Sequence, residues 1–550
     1  MRAGGQGLHL DRQWPRVCTG IFRRGAPLPS PGIIVNLAHR TRTHHLTLKR
    51  NRNKAMPYPN LLFLYTDEQR FDTLAAYGNT SIDMPHLNQL AATACVFDRA
   101  YVTQPVCTPS RSSLLTGLTP HTNGCTANNI PLDQQVPCLP EMLPAGRYVT
   151  AHFGKWHLGD ELFAQHGFEH WLGVEHYNQH FRPHRDRSTV PDYSRWLLEQ
   201  GYRPQNGRFF TRNEAAALPE EHSKPAFLAG HASRFIREHQ DRPFCLYVNF
   251  LEPHMPFTGP RDAQYDPASI PLPDNFDCPP GDWNHARSRL LHLHYAAGKR
   301  FGVRSNDPDA MRGLTARYWG LCSQVDAHCG AILDTLRACD LWDDTIVVFT
   351  SDHGDMMGSH QLIAKGLMYE EAARVPLLIK IPGQWQMHRV DGPVSQVDLV
   401  PTLLELMNVA PPAELEGRSR TGHLEPGAPG LTDDVFIEWN GSNSSITPDG
   451  QTAGAAAGPR DAGAAGDEAA ARDAAVGDPL RAMVSGDGRW KLIVSPHLGQ
   501  HELFDLSADP LECDNVYGRP DLAGITRALA GRLRAWQHHT GDTVTLPDVP

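Results

Sequence analysis

Four short runs along the chain are apolar at nearly every position: NLLFLYT (Asn60 to Thr66), PFCLYVNF (Pro243 to Phe250), TIVVFT (Thr345 to Thr350) and PLLIKI (Pro376 to Ile381). A strand covered on one face alternates apolar and polar residues, so unbroken runs of this length predict strands buried on both faces. Helical patterns such as Met84 to Ala94 and Leu314 to Leu336 separate them. That alternation predicts an α/β fold, a large mostly parallel sheet flanked by helices. Towards the end, Ala482 to Val494 (AMVSGDGRWKLIV) reads as two strands joined at a Gly-Asp-Gly turn, and Glu502 to Leu506 (ELFDL) as another. These predict a smaller C-terminal antiparallel sheet with a helix.

The same pattern divides the chain. Residues 56–425 carry the long buried runs and read as the catalytic α/β domain, with 426–550 as a C-terminal subdomain. Within the latter, about 449–479 is a low-complexity insertion, and Ala453 to Gly477 is dominated by Ala, Gly and Asp without apolar periodicity. The first 55 residues hold eleven Lys or Arg against one acidic residue, Asp11, and read as a disordered or non-native extension, with Met56 as the true start.

Charge then narrows the function. The whole chain has a net charge of −10; with that basic head set aside, 40 basic and 60 acidic residues remain, a net of −20. Nucleic-acid binding is excluded for such a body, and any anion must be met by a local basic pocket. No stretch approaches the roughly 20 apolar residues that span a bilayer, so no membrane role is expected. The missing secretory core points to the cytoplasm. Eleven scattered cysteines do not suggest a disulfide framework, and the thiols are expected to be mostly reduced.

Chemistry collects where the runs end. The first leads into Asp67 and Glu68, the second into Glu252 and His254, the third into Asp352, His353 and Asp355. Open parallel sheets bind ligands beyond the carboxyl ends of their strands, so three strands are expected to aim at one rim. Asp67, Glu68, Asp352 and His353 offer hard oxygens and one imidazole, a set suited to Ca²⁺, Mg²⁺ or Mn²⁺ more than to tetrahedral Zn²⁺. In CTPSRSSLLTG (Cys107 to Gly117), Thr108 is expected to cap a helix with Pro109 in its first turn. Cys107 then sits at a helix N-terminus, which favours an anion, and Arg111 adds a fork suited to sulfate or phosphate. Only three residues separate Cys107 from Arg111, too few for a thiolate phosphatase loop. In GKWHLG (Gly154 to Gly159), an extended backbone would turn Lys155 and His157 to one face.

The Cys, Pro, Ser, Arg pattern followed by Leu114, Thr116 and Gly117 resembles the signature of the type I sulfatases. GKWHLG resembles that family's second signature and SDHGDMMG (Ser351 to Gly358) its metal-binding turn, within a resemblance running from about Pro59 to Asn515. The resemblance implies an alkaline-phosphatase-like fold and hydrolysis of a small-molecule or carbohydrate sulfate ester. It also implies that a formylglycine-generating enzyme converts Cys107 to formylglycine (3-oxoalanine), the nucleophile. Carried over by position, Asp67, Asp352, His353 and the modified Cys107 would ligate one divalent metal, Ca²⁺ first and Mn²⁺ or Mg²⁺ as alternatives. Glu68 joins that set where the family commonly has Asp or an amide. Arg111 would hold the nucleophile and metal region, while Lys155, His157, His254 and Lys365 would line the sulfate. The alternatives are a phosphonate monoester or phosphodiester hydrolase and a silent anion-binding protein. The substrate is expected to be selected by His170 to Arg312, including His176, Tyr177 and Trp283. Homo-oligomerisation stays open.

Overall fold

The computed structural model describes residues 58–175, 189–441 and 473–549. The basic head, His176, Tyr177 and most of the low-complexity insertion lie outside the described residues. Thirteen strands are found: β1 (Asn60–Asp67), β2 (Cys95–Tyr101), β3 (Val149–Gly154), β4 (His170–Gly173), β5 (Phe244–Pro253), β6 (Thr345–Ser351), β7 (Arg374–Val375), β8 (Leu377–Lys380), β9 (His388–Ser395), β10 (Val435–Glu438), β11 (Arg481–Val484), β12 (Trp490–Val494) and β13 (Glu502–Asp505). The large sheet runs β4-β3-β5-β1-β6-β8-β2-β7, with β9 beside β2.

The centre of that sheet explains the unbroken apolar runs. Along β1, Leu62 and Leu64 enter one core and Leu61, Phe63 and Tyr65 the other. The first core is covered by the helices Lys224–Glu238 and Pro308–Ala338. The second takes Leu114 and Leu115 of the Cys107–Thr116 helix and Leu403 of Leu399–Leu406. Each such side chain removed from water contributes about 1.5–3 kcal/mol.

Strands β1, β3, β4, β5 and β6 are mutually parallel. The run at Pro376–Ile381 forms β8, but it pairs antiparallel with β6 and β2. Only Pro376 separates β7 from β8, so no crossover helix lies between them, and the burial that the composition of β8 signals does not encode direction. The small sheet is antiparallel in the order β10-β11-β12-β13. Ala482, Val484, Ile493 and Phe504 join the main core, while Met483, Leu492, Val494 and Leu503 meet Leu529 and Leu533 of the Ala523–Thr540 helix.

One cysteine expectation needs correction. Cys278 and Cys513, 235 residues apart with Cα atoms 5.7 Å from each other, form a disulfide. The other eight cysteines of the described residues are free. Among the described residues, no helix is long and apolar enough to cross a membrane.

Two glycines of one sequence type carry opposite constraints. Gly154, at the end of β3, has φ 121°, and a Cβ there would overlap the carbonyl of Asn249 on β5. Gly230, exposed on the Lys224–Glu238 helix, has open space around it. Gly154→Ala should therefore cost at least about 1–3 kcal/mol, whereas Gly230→Ala should stabilise by up to about 1 kcal/mol. Urea unfolding of both variants checks the contrast.

Candidate active site

Strand register brings the site together. In the parallel β1–β6 pair, Thr66 lies opposite Ser351, and on the other flank Asp67 lies opposite Pro253. Asp67, Asp352 and His254 therefore leave three adjacent strands at one level. The expected rim is observed. Ligand atoms of Asp67, Cys107, Asp352 and His353 all lie within 4.8 Å of one another, as do those of Asp67, Glu68 and His254. All of these residues are buried.

Arg111 organises the carboxylates. Its Nη2 donates to Asp67 Oδ2 and its Nε to Asp352 Oδ2, both at 2.8 Å, and its Nη1 to the Lys155 carbonyl at 3.0 Å. The guanidinium stands over the Tyr65 ring, 5.2 Å from its centroid. The outer oxygens are thus taken, and Lys155 Nζ also meets Asp67 Oδ2. The inner oxygens face His353: its Nε2 is 3.8 Å from Asp67 Oδ1 and 3.6 Å from Asp352 Oδ1. The other ring nitrogen, Nδ1, donates to the Gly354 carbonyl at 2.9 Å, which orients Nε2 inward.

Cys107 opens the Cys107–Thr116 helix, with Val106 as its N-cap residue. Its Sγ is 3.2 Å from His353 Nε2 and 3.8 Å from Asp67 Oδ1. Burial and Asp67 push the thiol up, but Lys155, Lys365 and His353 outweigh them and hold it well below the usual value. Thr108 does not cap the helix as its sequence suggests. Its hydroxyl instead donates to the His157 carbonyl at 2.8 Å and accepts from Asn129 N at 3.2 Å, which ties the Cys107–Thr116 helix to the GKWHLG turn.

That turn also departs from expectation. β3 ends at Gly154, and His157 adopts a left-handed φ of 61°, so Lys155 and His157 do not share an extended strand. Glu161 stabilises the turn by accepting from Trp156 N at 2.9 Å and His157 N at 2.8 Å. The His157 Nε2 meets Asn129 Oδ1 at 3.0 Å, and its buried Nδ1 has no partner. Burial and Lys155 lower its pKa to about 4.

Glu68 is drawn into the site by a left-handed φ of 71°. Its Oε2 accepts from Lys365 Nζ at 2.8 Å and lies 3.4 Å from His254 Nε2, while Oε1 is buried with no partner. Burial raises its carboxyl well above the usual range despite Lys365.

Asp67, Glu68, Cys107, Arg111, Lys155, His157, His254, Asp352, His353 and Lys365 converge here, whereas Trp283 is exposed and, among the described residues, no contact places it in the site. Those that the sequence did not single out are supports: Asn129, Glu161, Gln396, Arg70 and Arg212. Gln396 Nε2 donates to Ser110 Oγ at 2.8 Å. Arg70 Nη1 donates to the Asp355 and Met356 carbonyls at 3.0 and 2.9 Å and so holds the turn after His353. Arg212 Nη1 lies 3.2 Å from His254 Nδ1. Glu161, directly behind the GKWHLG glycines, and Arg70, two residues past Glu68, were findable by proximity. Arg212 had no local signal.

Known proteins share this arrangement of motifs. A sulfatase family model matches residues 59–409. The chain is 30% identical over 373 residues to an ulvan-active sulfatase of Formosa agariphila, an alignment covering 65% of this chain and 63% of that protein, just under two thirds of its length. It is 27% identical over 514 residues to a choline-sulfatase of Rhizobium meliloti, covering 88% of each. Among solved structures, a phosphonate monoester hydrolase of Agrobacterium radiobacter superposes with a TM-score of 0.70 at 25% identity, over 88% of this chain and 96% of that one. With the family model covering most of the chain and the strand-end site assembled, this protein belongs to the sulfatase family.

Proposed function

We propose that the chain hydrolyses a sulfate ester to an alcohol and inorganic sulfate, with Cys107, matured to formylglycine, as its nucleophile. One observation carries this reading. Cys107 lies inside the cage of strand-end carboxylates while Lys155 and Lys365 enter it from the flanks, so a nucleophile and an incoming oxyanion share one cationic pocket.

The donor set fits a divalent, oxygen-preferring cation: the inner oxygens of Asp67 and Asp352, the unpartnered Glu68 Oε1 and the inward Nε2 of His353. These four residues would hold it, with Ca²⁺ the best match to an oxygen-rich, irregular set and Mn²⁺ or Mg²⁺ the alternatives. When bound, such an ion polarises the ester and acidifies the nucleophilic hydroxyl.

The chain's own groups divide the remaining work. Lys155 and Lys365 bind the sulfate oxygens, and their charges stabilise the negative charge that grows in the transition state. His157, held neutral by burial and Lys155, is free to accept a proton from the formylglycine hydroxyl. Burial and Lys365 likewise keep His254 neutral in the resting site. An arriving sulfate anion favours its protonated form and so equips it to protonate the departing alcohol.

A second reading, phosphonate monoester or phosphodiester hydrolysis, is favoured by the nearly full-length similarity to the phosphonate monoester hydrolase. Protein coexpressed with a formylglycine-generating enzyme separates the two on paired nitrophenyl sulfate and phenylphosphonate substrates. The expected result is preference for sulfate, with Cys107→Ala losing at least about 10³-fold in kcat. Preference for phosphonate would install the second reading, and activity undiminished in Cys107→Ala would refute both.

Metal binding should also depend on pH. Burial lowers the His353 pKa, but Asp352 and Cys107 outweigh it and raise the value to about 9, so in the metal-free protein the ring carries a proton that an ion must displace. Calcium affinity of the metal-free Cys107→Ala protein, which lacks the thiol's share of that shift, should rise by up to about tenfold per pH unit below the ring's pKa and then level off. Isothermal titration between about pH 6 and pH 9, spanning the ring's pKa, checks this, and a flat profile would remove His353 from the ligand set.

A further inference from the structure

Arg287 is 2% exposed, yet among the described residues no carboxylate forms an ion pair with it. A buried guanidinium without a counter-charge is costly, and charged residues are almost never fully buried unless paired. Its Nε donates to the Gly366 carbonyl at 3.0 Å, and its plane stacks on Trp439, 3.9 Å from the ring. Two groups remain unsatisfied: Arg287 Nη1 and Trp439 Nε1 are both buried without a hydrogen-bond partner.

Both residues line one small cavity, together with Ser288, Gly366, Tyr369, Leu480 and Ile493, with room for about one water-sized occupant. The Ala286–Ala296 helix begins at its wall, so the helix dipole adds positive potential. Glu502 also borders the cavity, but it accepts from Asn284 Nδ2 at 3.0 Å and His285 N at 3.2 Å, and burial pushes its carboxyl above the usual range. It does not neutralise Arg287.

We infer that Arg287 and Trp439 form a binding site for a monovalent, halide-sized anion, chloride in ordinary media, enclosed between the active-site rim and the C-terminal sheet. Arginine and indole nitrogens are donors only, so whatever satisfies Arg287 Nη1 and Trp439 Nε1 must be an acceptor. Water accepts but leaves the charge uncompensated, and a tetrahedral oxyanion exceeds the space. The site bears on the active centre through Gly366, which follows Lys365 and whose N–H donates to the Pro105 carbonyl at 2.9 Å, two residues before Cys107.

The test compares thermal midpoints of the calcium-loaded protein in sodium chloride, bromide and gluconate at constant ionic strength. Chloride and bromide should give a saturable rise of about 1–3 °C over gluconate. Arg287→Met should abolish that rise. Trp439→Phe, which keeps the stacking and loses only the N–H, should weaken half-saturation by about tenfold in halide concentration. Crystals grown with bromide should show an anomalous peak in the cavity. Equal midpoints in chloride and gluconate, a response unchanged in Trp439→Phe, or bromide bound elsewhere would overturn the inference and leave the cavity to water.

Discussion

The rest of the site depends on one buried guanidinium. Asp67 and Asp352 stand at the ends of neighbouring strands, and parallel register forces their carboxylates together in a fully buried position. Two such charges would repel and be driven to take up protons. Arg111 opposes this by binding one oxygen of each, which leaves the other oxygen of each turned towards His353 and Cys107, although burial and Asp67 still hold the Asp352 carboxyl above its usual range. Burial raises the Asp67 carboxyl, yet Lys155, His254, Arg111 and Lys365 together hold it well below its usual range. Breaking a buried pair of this kind costs about 3–5 kcal/mol, because the partners are left charged and alone.

That arrangement follows from helix placement. Cys107 opens its helix and Arg111 follows one turn later, so both side chains reach the strand ends from one face of one element. Supports then fix the details: Gln396 on Ser110, Asn129 between Thr108 and His157, Glu161 under the GKWHLG turn and Arg70 under the turn after His353. Each satisfies a polar group that burial would otherwise penalise.

The sequence made the strand ends legible because a run buried on both faces must deliver its next polar residue to the rim. Asp67, Asp352 and His254 were readable for that reason. The direction of β8 was not, since antiparallel and parallel strands bury the same residues. Nor were the left-handed turns at Glu68 and His157, which no local preference of Glu or His signals. Arg212, Arg287 and the Cys278–Cys513 disulfide depend on contacts between distant segments, for which a single sequence carries no pattern.

On the proposed function, β1 and β6 together build one cation site beside Cys107. Anomalous diffraction from crystals soaked in manganese tests it most directly. One strong peak per chain is expected within ligand distance of Asp67, Glu68, Asp352 and His353, and it should be lost in Asp352→Asn. A peak away from these four residues, or one that persists undiminished in that variant, would contradict it.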